Sequence, residues 1–296
     1  AGNYVYVSQQ EFFKIAKEEN IPVIILYKEG MFPAPITKEK SDKLYAGKKF
    51  VGNKFLVYNN IIKNILLDAK IPGIEKEILE VVGMPRLDSY LNNISIKEIK
   101  NTITLFTFEP HVKAQIALKE SAQDVDIFIN KCEQFQKDLF LFCKNNSQFK
   151  LTIKVKTSTD AIADIKRILN IKSFNEVPNN ITISTTISPK KLLQESEYIT
   201  GYFSTTLLEA MLLNKYIITP SFAEMPKSKV IDYFTNFNNV VNYGNNYSDF
   251  ETIFNNKKKL LKANEQKRND VLSNMFFSLD TKSSERVVNA IINEIT

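Results

Sequence analysis

One stretch of the sequence, residues 197–220, sets the strongest limit on the fold. Residues 197–200 are predicted to form a short buried strand, and residues 216–220 a second one. The residues between them have the i, i+1, i+4, i+5 spacing of a helix packed on a sheet: Leu207, Leu208, Met211 and Leu212. Ser204 is the expected N-cap of this helix, and Asn214 its expected end. A strand, turn, helix and strand in this order indicate a unit of a parallel α/β sheet.

The front of this predicted helix carries groups that suit an anion. Ser204, Thr205 and Thr206 place three hydroxyl groups at the helix N-terminus, where unpaired backbone N–H groups and the positive end of the dipole also point. Such a terminus is a natural site for a phosphate. Glu209 lies one turn further on, where its carboxylate can accept a hydrogen bond from a ribose or sugar hydroxyl. The same residues also fit a plain capped helix, so the local pattern leaves both interpretations open.

Strand-like and helical stretches alternate along the rest of the second part of the chain. The predicted strands are residues 103–107, 151–155, 181–184, 198–199, 216–218 and 240–241. The predicted helices are residues 124–146, 159–170, 189–195, 204–213, 228–235 and 247–262. This alternation is typical of βαβ units in a parallel sheet, and six strands suffice for a complete doubly wound domain.

The first part of the chain has fewer strands. They are predicted at residues 23–27, 55–58 and 80–82, with helices at 8–20, 38–47 and 61–66. Residues 92–100 are polar and are predicted to be the linker, so the chain divides near residues 97 and 98. Residues 1–97 look like the later half of a doubly wound domain, and the sequence starts without Met. We therefore expect the first domain to be incomplete, in an amino-terminally truncated chain.

Several polar residues follow predicted strands, where open α/β sheets bind ligands. Glu29 follows the strand at 23–27, although a Glu-Gly pair after a strand is also an ordinary turn. His111, the only histidine, and Glu109 share the loop after the strand at 103–107. A single histidine can be structural, but its position at the carboxyl end of a strand favours a site.

Two further groups can contact phosphate. Lys156 and Thr157 precede the helix predicted at 159–170 and can hold an anion at its start, or form a solvent-exposed basic turn. Arg86 follows the strand at 80–82 and can reach a phosphate or a sugar acid. It can instead pair with Asp88 and fix the loop.

Composition excludes several other classes of protein. The chain has 296 residues and a net charge of +6, carried almost entirely by lysine, without the arginine and aromatic pattern of a nucleic-acid binder. A mild basic excess suits an anionic substrate or an anionic membrane surface. No apolar run reaches the ~20 residues of a membrane span, and no signal peptide is present, so a cytoplasmic protein is expected. The lysine-rich run at 255–262 is expected to be a solvated helix face, with membrane contact as the lesser alternative.

Metal and typical nucleotide motifs are also missing. The sequence has no Gly-x-Gly-x-x-Gly and no P-loop. Asp124 and Asp126 mimic a metal-binding Asp-x-Asp, but they open a long helix, where a capping role is expected. One histidine and no acid cluster predict no protein-held metal. Cys132 and Cys143 lack metal spacing and are expected to be buried free thiols.

Taken in order, these motifs resemble a known family. Residues 204–210 between two strands look like the C-terminal nucleotide-binding half of GT-B glycosyltransferases of bacterial surface-carbohydrate biosynthesis, including capsule-polysaccharide and CDP-glycerol glycerophosphotransferase enzymes. Residues 83–88 are similar to their Gly-x-Pro-Arg-x-Asp turn, and residues 28–30 resemble the acidic-acidic-Gly loop of the capsule enzymes. The resemblance runs from residue ~20 to residue ~290, and the ordered set is more specific than any single motif.

The resemblance implies two Rossmann-like domains with a cleft between them. Residues 98–278 would bind the nucleotide, and residues 279–296 would form a helix crossing back to the first, acceptor-side domain. Ser204, Thr205 and Thr206 would hold the donor phosphates, and Glu209 the ribose or donor sugar.

The resemblance also implies a reaction. Glu29 would deprotonate the acceptor, a glycan or a lipid-linked molecule, with Arg86 or Glu109 in contact with acceptor or phosphate. Neither a metal nor a cofactor would be needed, because the nucleotide-sugar or CDP-alcohol is the substrate and the helix terminus with Lys or His offsets the phosphate charge. The protein would work in the cytoplasm or as a peripheral protein at the inner face of the membrane.

The sequence departs from the family in three places. The His-Pro expected after the strand at 151–155 is absent, so Lys156 or His111 would supply the positive group. Lys28 stands where the first acid is expected, and Ile217 breaks the paired-glutamate spacing of retaining enzymes. These departures favour one alternative to a transferase, a non-catalytic nucleotide-sugar-binding or assembly module. The other alternative is a UDP-sugar 2-epimerase on the same fold, which would need acids and a histidine beside the sugar, and the chain has few of either.

Overall fold

The computed structural model describes residues 7–27, 47–92, 97–107, 109, 122–202, 204–221, 240–257, 260 and 265–295. Contacts divide the chain into two units. Unit 1 comprises Ala1–Ile94 together with Asn269–Thr296, and unit 2 comprises Ser95–Arg268. The sequence placed its domain boundaries at 97/98 and 278/279. The second contact boundary, at 268/269, lies ten residues before the predicted one. The helix Glu265–Phe276 spans this boundary, and its buried residues, among them Leu272 and Met275, belong to unit 1.

Helices and strands alternate through the described residues. The helices are α1 (Val7–Glu18), α2 (Asn60–Asp68), α3 (Pro85–Asn92), α4 (Ala122–Asn145), α5 (Thr159–Leu169), α6 (Pro189–Glu195), α7 (Thr206–Leu212), α8 (Tyr247–Asn255), α9 (Glu265–Phe276) and α10 (Ser283–Ile295). The strands are β1 (Ile24–Leu26), β2 (Lys54–Val57), β3 (Leu79–Val81), β4 (Ile99–Phe106), β5 (Lys150–Lys154), β6 (Ile181–Ser184), β7 (Ser196–Gly201), β8 (Tyr216–Thr219) and β9 (Asn242–Tyr243). The predicted α/β class with parallel sheets is confirmed.

Unit 1 is built on a parallel sheet in the order β1-β2-β3. One face packs against α1 and α2 through a cluster that includes Phe13, Phe55 and Ile62. On the other face, Leu56 and Val82 pack against Ala290 of α10. The strands are short and almost entirely apolar because both faces are covered.

Unit 2 is built on a parallel sheet in the order β6-β5-β4-β7-β8-β9. An aromatic core lies between this sheet and helices α4, α5 and α8, and includes Phe135, Phe142, Phe250 and Phe254. Three pairs of these rings lie in edge or stacked arrangements, with centroids 5.0–6.1 Å apart. Cys132 and Cys143 are buried in the same core as free thiols, as predicted.

Several predicted elements differ from the structure. Residues 83–88 were predicted as a turn and loop, but α3 begins at Pro85, whose fixed φ suits the first helical position. The helix predicted at 247–262 ends at Asn255, and the last strand lies at 242–243 rather than 240–241. The helices predicted at 38–47 and 228–235 lie outside the described residues, apart from the single residue Gly47. Within the described ranges, no helix combines the length and hydrophobicity that a membrane span requires.

Candidate functional site

The order of strands in unit 2 reverses between β4 and β7. After β4, the chain adds β5 and β6 towards one edge of the sheet. After β7, which lies beside β4, it adds β8 and β9 towards the other edge. Since such crossovers are right-handed, the helices that follow β4 and β7 leave on opposite faces, and the ends of these two strands border a crevice. This switch point is where open α/β sheets bind ligands.

Gly201 is required at the carboxyl end of β7. It pairs in register with Phe106 of β4 and has φ +152°. A Cβ atom at this position would lie 2.7 Å from the Phe106 carbonyl oxygen, closer than real side chains approach. The two strands therefore end together, and the residues that follow them, Thr107 and Tyr202, leave the sheet at adjacent points.

The Ser204–Thr206 segment begins α7 in a way that the sequence did not predict. Ser204 is not the N-cap; that position is held by Thr205, which has helical φ and ψ and makes no side-chain cap. The Ser204 hydroxyl instead accepts a hydrogen bond from the Thr206 N–H at 3.3 Å. All three residues are half-buried, so their polar groups remain partly accessible. The predicted end of the helix is confirmed, since Asn214 has φ +53°.

Glu209 lies deeper than the sequence suggested. It is 4 % exposed, in the first turn of α7, between the buried residues Leu208 and Ala210. Little of this carboxylate is therefore accessible to a ribose or sugar hydroxyl.

Ser158 joins the ends of β4 and β5. It is the N-cap of α5, where its hydroxyl oxygen accepts from the Ala161 N–H at 3.2 Å, and it donates to the Glu109 carboxylate at 3.0 Å. A carboxylate near a helix N-terminus is favoured by the dipole. Lys156 and Thr157, the residues predicted to bind an anion here, are exposed beside it.

A pocket brings two of the predicted residues together. Glu109 and Lys156 line it with Gln136 of α4 and Asp164 of α5, above an apolar floor. Gln136 is a residue that sequence reasoning missed. The available signal was a lone carboxamide on the apolar face of the helix predicted at 124–146.

Residues 83–88 have a role that the sequence did not reveal. The Asp88 carboxylate accepts hydrogen bonds from the N–H groups of Ser283 and Ser284 at 3.2 and 2.6 Å, so it caps α10. Gly83 has φ +81°, and a Cβ there would lie 2.5 Å from the Ser283 hydroxyl. Arg286 Nε donates to the Val82 carbonyl at 2.8 Å. This segment anchors α10 within unit 1, while Arg86 is exposed on α3.

The amino ends of the unit 2 strands carry two ion pairs, each with one buried member. Glu197, at the start of β7, accepts from the Asn101 N–H at 2.6 Å and pairs with Lys257. The hydrogen bond to Glu197 raises the pKa of Lys257. The Lys215 side chain is fully buried, and its ammonium lies 3.2 Å from Glu98. These pairs fix strand ends away from the candidate site.

Two predicted site residues, Glu29 and His111, lie outside the described residues. Among the residues that the structure does describe, no cluster of three or more His, Cys, Asp or Glu side chains could hold a metal ion.

Comparisons with known proteins concern the fold. No protein-family model and no curated protein matches the chain. Among solved structures, it is similar to the UDP-GlcNAc 2-epimerase from Neisseria meningitidis bound to UDP-GlcNAc, with 13% identity and a TM-score of 0.54, covering 95% of this chain and 72% of that one. It is also similar to the wall teichoic acid polymerase TagF, with 12% identity and a TM-score of 0.57, covering 94% of this chain and 69% of that one. The UDP-GlcNAc 2-epimerase from Methanocaldococcus jannaschii, in complex with UDP-GlcNAc and UDP, has 16% identity and a TM-score of 0.51, covering 96% and 79%.

At these identities, the likeness shows the fold alone. The chain has the GT-B-like α/β fold with parallel sheets that the sequence predicted.

Proposed function

We propose that this protein is a nucleotide-sugar-dependent enzyme, a glycosyltransferase or a glycerophosphotransferase-like enzyme. It would move a sugar or polyol phosphate from a nucleotide-activated donor to a surface-glycan acceptor. The observation that carries this proposal is the switch point between β4 and β7, which sets the hydroxyl-rich Ser204–Thr206 segment beside the exit of β4. Phosphates bind at such a junction because backbone N–H groups and hydroxyl groups converge there.

The donor would lie across the ends of β4, β5 and β7. Ser204, Thr205 and Thr206 would donate hydrogen bonds to its phosphates. Lys156, exposed at the end of β5, would offset the negative charge that develops on the leaving phosphate, and the exposed Thr157 hydroxyl would donate a hydrogen bond to it. These groups would make a protein-held metal unnecessary.

The remaining predicted residues would act on the sugar and the acceptor. Glu29 would remove the proton from the acceptor hydroxyl, and His111 would assist at the leaving phosphate. Glu209 would contact the ribose or donor sugar, while Arg86 and Glu109 would contact the acceptor or a phosphate. A glycan or lipid-linked acceptor would place the reaction in the cytoplasm, near the inner face of a membrane.

An epimerase is the second candidate. Two of the three solved structures named above are UDP-GlcNAc 2-epimerases, and both contain UDP-GlcNAc. A 2-epimerase would convert its donor without any acceptor, whereas a transferase would need one. A non-catalytic nucleotide-sugar-binding module would bind the donor but would neither epimerise it nor transfer its sugar.

Nucleotide binding is the first test. A thermal-shift panel of CMP, CDP, UDP, GDP and their sugars should give one clear stabilisation, of about 2.7 kcal/mol for a ligand at a hundred times its dissociation constant. The double substitution Ser204→Ala with Thr205→Ala should abolish that shift. The control is Ser173→Ala, which removes the capping hydroxyl of the short helix at Phe174–Glu176, before the edge strand β6. Unchanged affinity in the double variant would refute the site assignment.

Activity is the second test. The nucleotide donor that binds is incubated alone and with glycan or lipid-linked acceptors, and its products are separated. Transfer only with an acceptor supports the transferase, and a new donor epimer without acceptor supports the epimerase. Binding with neither product would favour the non-catalytic module.

A further inference from the structure

A buried polar pair lies in the aromatic core of unit 2. Gln136 Nε2 of α4 donates a hydrogen bond to the Tyr202 hydroxyl at 2.7 Å. Gln136 is 1 % exposed and Tyr202 is fully buried. The Phe135 ring contacts the Tyr202 ring edge-on. Burial raises the pKa of Tyr202 well above its usual value, so the hydroxyl stays neutral at any physiological pH.

The pair does not owe its presence to stability alone. Burying a hydroxyl and a carboxamide has a desolvation cost, which their mutual hydrogen bond only offsets. A Phe and a Leu of similar shape would fill the same apolar space without that cost. Polar pairs in a core are useful when they fix one arrangement of the chain, because a hydrogen bond has a direction that apolar contacts lack.

The position of Tyr202 shows what would be fixed. Tyr202 follows Gly201, the last residue of β7, and stands two residues before Ser204. Gly201 is itself held against the Phe106 carbonyl of β4. The Tyr202 side chain is therefore the last buried anchor of the described chain before the Ser204–Thr206 segment.

Gln136 connects this anchor to the second half of the site. Besides holding Tyr202, it lines the pocket that contains Glu109 and Lys156. One side chain of α4 thus lies between the exit of β7 and the exits of β4 and β5.

We propose that Gln136 and Tyr202 are positioning residues for donor binding. Their hydrogen bond fixes the direction in which the chain leaves β7, and so holds the hydroxyl groups of Ser204, Thr205 and Thr206 ready for the donor phosphates. This role rests on the proposed function, and it adds two residues that touch neither donor nor acceptor.

The test separates positioning from general stability. Tyr202→Phe and Gln136→Leu are made singly and together, since the double variant removes both members of the hydrogen bond and should therefore unfold close to the wild-type midpoint. Tyr198→Phe is the matched control, because it removes a hydroxyl from the same core, four residues earlier on β7. Two measurements are made on each: amide hydrogen exchange without ligand, and affinity for UDP, CDP and UDP-GlcNAc.

The exchange measurement uses two amides that report on the start of α7. The N–H groups of Leu207 and Leu208 donate to the carbonyls of Ser204 and Thr205 at 3.1 and 3.0 Å. In the double variant these amides should exchange up to about tenfold faster, the value of one lost hydrogen bond. The exchange rates of the Ile199 amide in β7 and the Ile217 amide in β8 should not change in the double variant. In Tyr198→Phe, the exchange rates of all four amides should equal those of the wild type.

The affinity measurement completes the test. The double variant should bind its nucleotide up to about tenfold more weakly, with an unchanged unfolding midpoint. The positioning role would be overturned if the Leu207 and Leu208 amides of the double variant exchanged at the wild-type rate. It would also be overturned if Tyr198→Phe lost as much nucleotide affinity as the double variant. If the wild-type chain binds no nucleotide, the proposed function fails, and the exchange measurement alone decides whether the pair holds the segment.

Discussion

Replacing Asp88 with alanine should detach α10 from its cap in unit 1. The Asp88 carboxylate is 7 % exposed and accepts from two backbone N–H groups, of Ser283 and Ser284. Loss of an N-cap costs about 0.5–2 kcal/mol, and a hydrogen bond to a charged acceptor contributes about 1.5–3 kcal/mol. Since water can solvate the freed N–H groups in part, we expect the free energy of unfolding to fall by about 2–3 kcal/mol.

The assay follows from the composition and the geometry. The chain has no tryptophan, so urea unfolding is followed by far-ultraviolet circular dichroism, with amide exchange of α10 measured in parallel. The control is Asp68→Ala, which removes an exposed carboxylate from the last residue of α2 in the same unit, where the helix dipole disfavours it. If Asp88→Ala unfolds at the same urea concentration as Asp68→Ala, and the α10 amides exchange no faster, the capping argument is wrong.

Three other contacts are tested by substitution. Glu98→Gln should lower the free energy of unfolding by about 1–3 kcal/mol in urea titrations, because the buried Lys215 ammonium loses its carboxylate partner. Adding Lys215→Met removes the buried charge and should restore most of the lost free energy of unfolding. Arg286 holds the pKa of Asp280 well below its usual range, so this pair adds stability above about pH 4 that is lost on acidification. Asp280→Asn should therefore flatten the acid limb of the stability curve, by less than about 1 kcal/mol because the pair is partly exposed. Gly201→Ala should cost about 1–3 kcal/mol of backbone strain in thermal unfolding and weaken nucleotide binding with it.

Local signals predicted the elements of the fold well. The helix predicted at 189–195 is found with the same bounds, because Ser188 caps it and Pro189 occupies its first position. The strands of unit 2 were recognisable because short runs in which Ile, Leu or Val alternates with Thr, Lys or Ser, bounded by turn residues, are typical of strands. Their alternation with helices fixed the parallel sheet, since a parallel pair needs a crossover.

Contacts between residues far apart along the chain could not be predicted from the sequence. The start of α7 was predicted two residues early, because Ser204 can cap a helix or accept from Thr206, and only the backbone angles of Thr205 decide between them. Asp88 looked like a partner for Arg86, yet the N–H groups that it caps lie 195 and 196 residues further along the chain. The pairing of Gln136 with Tyr202 was hidden for the same reason.

The make-up of unit 1 has a consequence for the order of events during synthesis on the ribosome. Unit 2 is one continuous segment, whereas unit 1 needs residues 269–296 from the other side of it. Asp88 emerges 195 residues before Ser283, its first partner on α10. At about 5–20 residues per second, this interval lasts about 10–40 s. During that time, Leu56 and Val82 lack Ala290, their packing partner on α10, while all of unit 2 can fold. Unit 1 is therefore synthesised first but completes its folding last.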